Sequence, residues 1–182
     1  MTRTITIRSF AALLSLAACG SPSGPDIRGG GLPSAQLGAA DRADAYDAAL
    51  RSAFDADSSL VLLVEPHLLP RDGSYGVKGP TLGDDVVRSL RGEGMVNGTC
   101  EPERPDAKHA PRCKSALPGY VVRFSEPYQM GRDTLRLFLY AERFRTASGV
   151  GPNGRFDFET GFQLVRDGSH WRVAREARRT TR

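Results

Sequence analysis

Residues 133–144, DTLRLFLYAERF, decide the fold. Leu135, Leu137, Leu139 and Ala141 alternate with Thr134, Arg136, Phe138, Tyr140, Glu142 and Phe144. Successive strand residues point to opposite faces, so this period of two predicts a β-strand. Both faces carry apolar side chains, which predicts a central strand covered on each side. Working outward, Arg155 to Arg166 sets Phe156, Phe158, Thr160, Phe162 and Leu164 against Asp157, Glu159, Gly161, Gln163 and Val165, a half-buried strand. Asp167-Gly168 is a turn signal, and Trp171-Arg172-Val173 opens a partner strand. Upstream, Tyr120 to Phe124 reads as another strand. Together these predict a four-stranded antiparallel meander.

The sequence ahead of the meander has a different period. Asp41 to Asp55 predicts a helix, with Tyr46, Leu50, Ala53 and Phe54 on one stripe and Asp41 as its N-cap. Leu60 to Glu65, LVLLVE, predicts a buried strand that Pro66 ends. Residues 67–80 read as a loop. Thr81 to Arg91 predicts a second helix, opened by a loose capping box at Thr81 and stopped by Gly92, with Leu82, Val86, Val87 and Leu90 inward. Residues 92–118 show no clear element. The expected fold is α+β: two N-terminal helices and a strand packed on a curved, mainly antiparallel sheet. A chain of 182 residues holds one such domain. A mean hydropathy of −0.35 excludes a polytopic membrane protein.

The N-terminus sets the expected compartment. Residues 1–8 carry Arg3 and Arg8 and no acid, and residues 9–18, SFAALLSLAA, form a short apolar run ending in small residues. This is the layout of a secretory signal, and the run is too short to span a bilayer. It ends in Leu16-Ala17-Ala18-Cys19, which resembles the lipobox of bacterial lipoproteins. The resemblance implies that the Cys19 thiol receives a diacylglyceryl group. A peptidase then cuts before Cys19, and the new N-terminus is acylated. Two or more acyl chains anchor stably, at about 0.8 kcal/mol per buried CH₂. Residues 1–18 are then the signal peptide. Residues 19–40 are the lipidated cysteine and a Gly/Pro/Ser-rich tether, and 41–182 are the single domain. The protein is expected on the cell membrane or the outer membrane, with its domain in the periplasm or outside the cell. Gly20, where an Asp would signal inner-membrane retention, leans toward the outer membrane. Cleavage removes Arg3 and Arg8 and lowers the net charge from +4 to +2.

Cys100 and Cys113 remain after lipidation. An even pair in an exported chain suggests a disulfide. The segment between them, EPERPDAKHAPR, reads as a loop, and closing a loop of this size contributes about 3 kcal/mol in the chain-entropy model. The rival reading is a metal site with His109, but Cys-x₈-His-x₃-Cys lacks a fourth zinc ligand.

Few motifs carry chemistry. Gly149-Val150-Gly151-Pro152-Asn153-Gly154 matches the dinucleotide fingerprint in letters, but period-two sequence on both flanks makes it a loop between strands. No nucleophile elbow, Walker A or zinc-protease motif is present, and His67, His109 and His170 lack metal-ligand spacing. No cofactor, metal or nucleic-acid partner is expected, and the expected role is non-enzymatic. The arginines Arg172, Arg175, Arg178, Arg179 and Arg182 read either as a contact for anionic lipid or as solvated charges on an edge strand. The aromatics Phe138, Tyr140, Phe144, Phe156, Phe158, Phe162 and Trp171 read either as core or as the lining of a pocket.

The segment from Val165 to Val173, with its Trp-x-Val strand, resembles the tail of NTF2-like (SnoaL-like) domains. That resemblance implies a cone-shaped α+β fold whose sheet wraps a pocket. It carries over no catalytic residue. A binding or interaction domain is the expected function, with a small periplasmic hydrolase or isomerase and a purely structural lipoprotein as alternatives. The cysteine reading is open to direct test. The mature chain should weigh two hydrogens less than the dithiol under non-reducing mass analysis. Alkylation of both Cys100 and Cys113 without a reductant would refute the bridge.

Overall fold

In the computed structural model, the residues described are 32–54, 60–69, 79–100, 117–143 and 158–180. The chain builds α1 (Ala39–Phe54), β1 (Val61–Val64), α2 (Asp84–Gly92), β2 (Gly98–Thr99), β3 (Gly119–Phe124), β4 (Tyr128–Gly131), β5 (Thr134–Arg143), β6 (Phe158–Asp167) and β7 (His170–Thr180). Among the described residues this is an α+β fold with two helices and a mostly antiparallel open sheet of seven strands. The sheet runs in the order β2-β1-β3-β5-β6-β7, with β4 also on β5. β1 pairs in parallel with both β2 and β3, and every later pairing is antiparallel. No helix among the described residues is long and apolar enough to cross a membrane.

β5 is buried on both faces, as its alternation predicts. Leu135, Leu137, Leu139 and Ala141 join Val122, Phe124, Phe162, Leu164 and Trp171 under the helices. Tyr46, Ala49 and Leu50 of α1 and Val86 and Leu90 of α2 close that layer. Ala43, Ala45, Ala49 and Ala53 of α1 are buried in the same core.

α1 is held along its length by β7 and the hairpin before it. Asp41 takes the Arg166 guanidinium on both oxygens, at 2.9 and 3.1 Å. Asp44 accepts the Trp171 backbone N–H and meets His170 Nδ1 at 3.0 Å. At the other end the Ser52 hydroxyl donates to Glu176 at 2.7 Å, and Arg178 donates to the Ala53 carbonyl at 3.0 Å. Helix and strand therefore run in the same direction. Between these ends, the buried Tyr46 ring stacks on Phe124 with centroids 4.3 Å apart. Its hydroxyl donates to the Ser125 carbonyl at 3.1 Å.

Ser125 makes that bond possible. β3 and β4 follow one another along the same edge of β5, and Ser125 lies at the break between them. Its N–H donates to the Phe138 carbonyl at 2.9 Å, as a ladder residue would. The return bond goes to its side chain instead, with the Phe138 N–H donating to Ser125 Oγ at 3.0 Å. The hydroxyl stands in for the backbone carbonyl, which turns toward Tyr46.

Several expectations are corrected. α1 starts at Ala39, so Asp41 lies inside its first turn, where its carboxylate is committed to Arg166 rather than to capping. α2 starts at Asp84, later than expected. Thr81 forms a bridge with His67, and the N-cap is Gly83 at φ 93° with no side-chain cap. α2 does end at Gly92, where the sequence places its stop, and the left-handed glycine follows at Gly94. The last residues of the expected tether are docked. The Ala35 N–H donates to the Pro127 carbonyl at 2.8 Å, and the Gln129 N–H to the Pro33 carbonyl at 2.9 Å. Ala35 is buried, and Leu37 packs on the core. β2 and β4 are strands that the sequence pattern does not announce.

Two stability effects follow. Ser125→Ala orphans the buried Phe138 N–H and should cost about 1–3 kcal/mol in denaturant unfolding; an unchanged midpoint would contradict the Ser125 geometry. The Arg166 hydrogen bond holds the Asp41 carboxyl below its ordinary value. A lowered folded pKa gives stability that is present above the unfolded value, near 4, and lost as pH falls through the folded one. The Asp41 side chain is 40% exposed, so Asp41→Asn should cost less than about 1 kcal/mol at pH 7. That difference should vanish near pH 2, and a difference that persists there would contradict the assignment.

Candidate functional site

The face of β5 turned away from the helices carries Arg136, Phe138, Tyr140 and Glu142. Cross-strand register extends it in rows. Arg123 lies beside Tyr140, Tyr140 beside Glu159, and Glu159 beside Arg179. In the next row Val121 lies beside Glu142. Glu65 adds a carboxylate from the end of β1, where its N–H donates to the Val122 carbonyl at 2.9 Å.

Arg123 is gripped from the β1 side. Its Nη2 meets Glu65 Oε1 at 3.1 Å, and its Nε donates to the His67 carbonyl at 3.2 Å. Pro66 ends β1 between those two contacts, so the chain turns around the guanidinium. Arg123 is only 8% exposed, Glu142 9% and Glu159 2%. Tyr140 is fully buried. Two small apolar clusters flank this polar row. Leu69, Tyr128 and Phe138 pack with Tyr140 on one side, with Leu32 against them. Cys100 and Val121 pack with Val61 and Leu63 on the other.

This arrangement is costly in fold terms. Removing a carboxylate and a guanidinium from water costs several kcal/mol each, which their attraction recovers only with good geometry. Well-packed hydrophobic residues would fill the same space at no such cost. The row sets Arg123, Tyr140, Glu142 and Glu159 side by side on one buried face of the sheet. Glu142 and Glu159 are diagonal neighbours across β5 and β6, their backbones about 7–8 Å apart by sheet geometry. Among the described residues no group of three His, Cys, Asp or Glu is placed to hold a metal ion.

The residues singled out by sequence fall elsewhere. Cys19 and Cys113 lie outside the described residues. Cys100 follows β2, is 2% exposed, and donates its N–H to the Val64 carbonyl at 2.9 Å. His109 and the 149–154 glycine segment also lie outside the described residues. His67 stands beyond β1 and His170 at the start of β7, with β3, β5 and β6 between those strands. Phe138, Tyr140, Phe158, Phe162 and Trp171 are all buried and serve as core, while Phe144 and Phe156 lie outside the described residues. Arg178 has a structural task besides its hydrogen bond, since its guanidinium covers the Phe158 ring at 3.9 Å. Arg172 pairs with Asp167 at 3.4 Å on the surface.

Sequence reasoning passed over Arg123, Glu65 and Glu159 as site residues. The available signal was a charge inside an apolar strand, as in the Val121-Val122-Arg123-Phe124 run. No protein-family model, no curated protein and no solved structure matches this chain.

Arg123→Met would leave the Glu65 carboxylate buried without its cation. Breaking a buried pair from one side costs about 3–5 kcal/mol. Denaturant unfolding should show that loss. A change under about 1 kcal/mol would mean that Glu65 reaches water.

Proposed function

We propose that this protein is a membrane-anchored lipoprotein of the bacterial cell envelope, tethered through lipid on Cys19. Its domain works as a non-enzymatic binding module for a small polar ligand or a partner protein. The support for the compartment is the Leu16-Ala17-Ala18-Cys19 sequence after a basic and then an apolar segment. The support for binding is the buried Glu65–Arg123 pair at the head of the Tyr140–Glu159 row. We take β3, β5, β6 and β7 as the curved meander of an NTF2-like fold, and Cys100 and Cys113 as a disulfide closing the loop that follows β2. A disulfide there would fix the Val121 and Leu63 flank of the polar row.

A second reading is favoured by one observation. Glu142 and Glu159 are buried carboxylates on one face, and burial of that kind suits a general acid or base. The same domain would then be a small hydrolase or isomerase of the envelope.

The anchor is tested by Cys19→Ser. The variant should leave the membrane fraction or accumulate unprocessed, and should lose labelling by a radioactive fatty acid. Unchanged labelling and fractionation would defeat the lipoprotein reading.

A further inference from the structure

The sheet edge formed by β2 carries a second polar feature, separate from the row on β3, β5 and β6. An open cleft of about 310 Å³ lies between α2 and β2, lined by Asp84, Val87, Arg88, Arg91 and Thr99. Val87 is buried and forms an apolar floor, while the four polar residues are exposed. Arg88 and Arg91 stand three residues apart on α2, hence on one side of the helix. Among the described residues neither guanidinium meets a carboxylate, although Asp84 lies one helical turn from Arg88. Gly98 lies beneath Arg91: a Cβ there would make only ordinary contacts, 3.8 Å from Arg91 Nη2 and 3.4 Å from the Leu63 side chain.

We propose that this cleft binds a phosphate group, either inorganic phosphate or a phosphomonoester. Two guanidinium forks within one turn present N–H donors in the planar geometry that suits oxyanions. The Thr99 hydroxyl adds a donor from the opposite wall. Asp84 selects among oxyanions. An ionised carboxylate only accepts hydrogen bonds, so it repels a carboxylate ligand. A phosphate that retains one P–OH donates to it. A phosphodiester has no such proton. The shared chemistry is a terminal phosphate, supplied either by a soluble compound or by a lipid headgroup of the phosphatidic acid type.

Isothermal titration calorimetry on the processed full chain in non-ionic detergent tests this. The ligands are inorganic phosphate, dihexanoyl phosphatidic acid and acetate. Saturable binding of phosphate and of the short-chain lipid supports a site that reads the phosphate alone. Binding of the lipid only supports the site and assigns its source to the headgroup. Arg88→Gln and Arg91→Gln should each weaken binding at least tenfold, with melting curves unchanged because both side chains are exposed. Three results would overturn the proposal: no saturable binding of either phosphate ligand, acetate binding as tightly as phosphate, or equal affinity in the arginine variants.

Discussion

Ser125 is where the two layers of this fold are joined. A strand that ran straight through this position would spend both backbone groups of Ser125 on β5. The serine hydroxyl takes over the acceptor role toward Phe138, and the freed carbonyl receives the Tyr46 phenol. That single exchange has two consequences. It breaks the edge of β5 into β3 and β4, and it gives α1 a polar anchor inside an otherwise apolar interface. Tyr46 is held well above the usual tyrosine range by its burial, so the anchor is a neutral hydroxyl at any moderate pH. The ion pair and hydrogen bonds at the two ends of α1 then fix its direction along β7.

The helices cover one face of the sheet, and the opposite face carries the polar row. β5 cannot leave that face to solvent, because Phe138 and Tyr140 project from it. Yet the residues beside them are Arg123, Glu142 and Glu159 rather than more aliphatics. Low dielectric strengthens each interaction in the row and raises the cost of any unmatched charge. Glu65 reaches Arg123 from a parallel neighbour, so the strength of the pair depends on the β1–β3 register, Val64 opposite Val122. Fold and candidate site are therefore coupled through the parallel half of the sheet.

The strands that were legible are those with long alternation. β5, β6 and β7 carry their register in their own side chains, and the apolar stripe of α1 names its buried face. β2 was not legible, because a two-residue strand held by parallel pairing has no period of its own. β4 was hidden for a related reason, since its place depends on a serine acting as a carbonyl. The helix starts were misplaced where a capping residue had another use: Asp41 serves Arg166 and Thr81 serves a bridge to His67. The docked Pro33–Ala35 segment has small side chains and no periodicity, so its contacts with Pro127 and Gln129 leave no trace in the pattern. The polar row escaped for the same physical reason as β2. Glu65 and Arg123 meet through strand pairing between distant segments, and local spacing contains no record of that meeting.

We propose that the polar row is kept for recognition rather than for holding the fold. The most direct measurement is the denaturant-unfolding free energy of the double variant Glu65→Leu/Arg123→Met. Replacing both members of a buried pair with apolar residues of similar size is often neutral or stabilising. The double variant should lie within about 1 kcal/mol of the parent, or above it, even though Arg123→Met alone is strongly destabilised. A double variant as unstable as the single one would show that the pair supports the fold itself, and would contradict the claim.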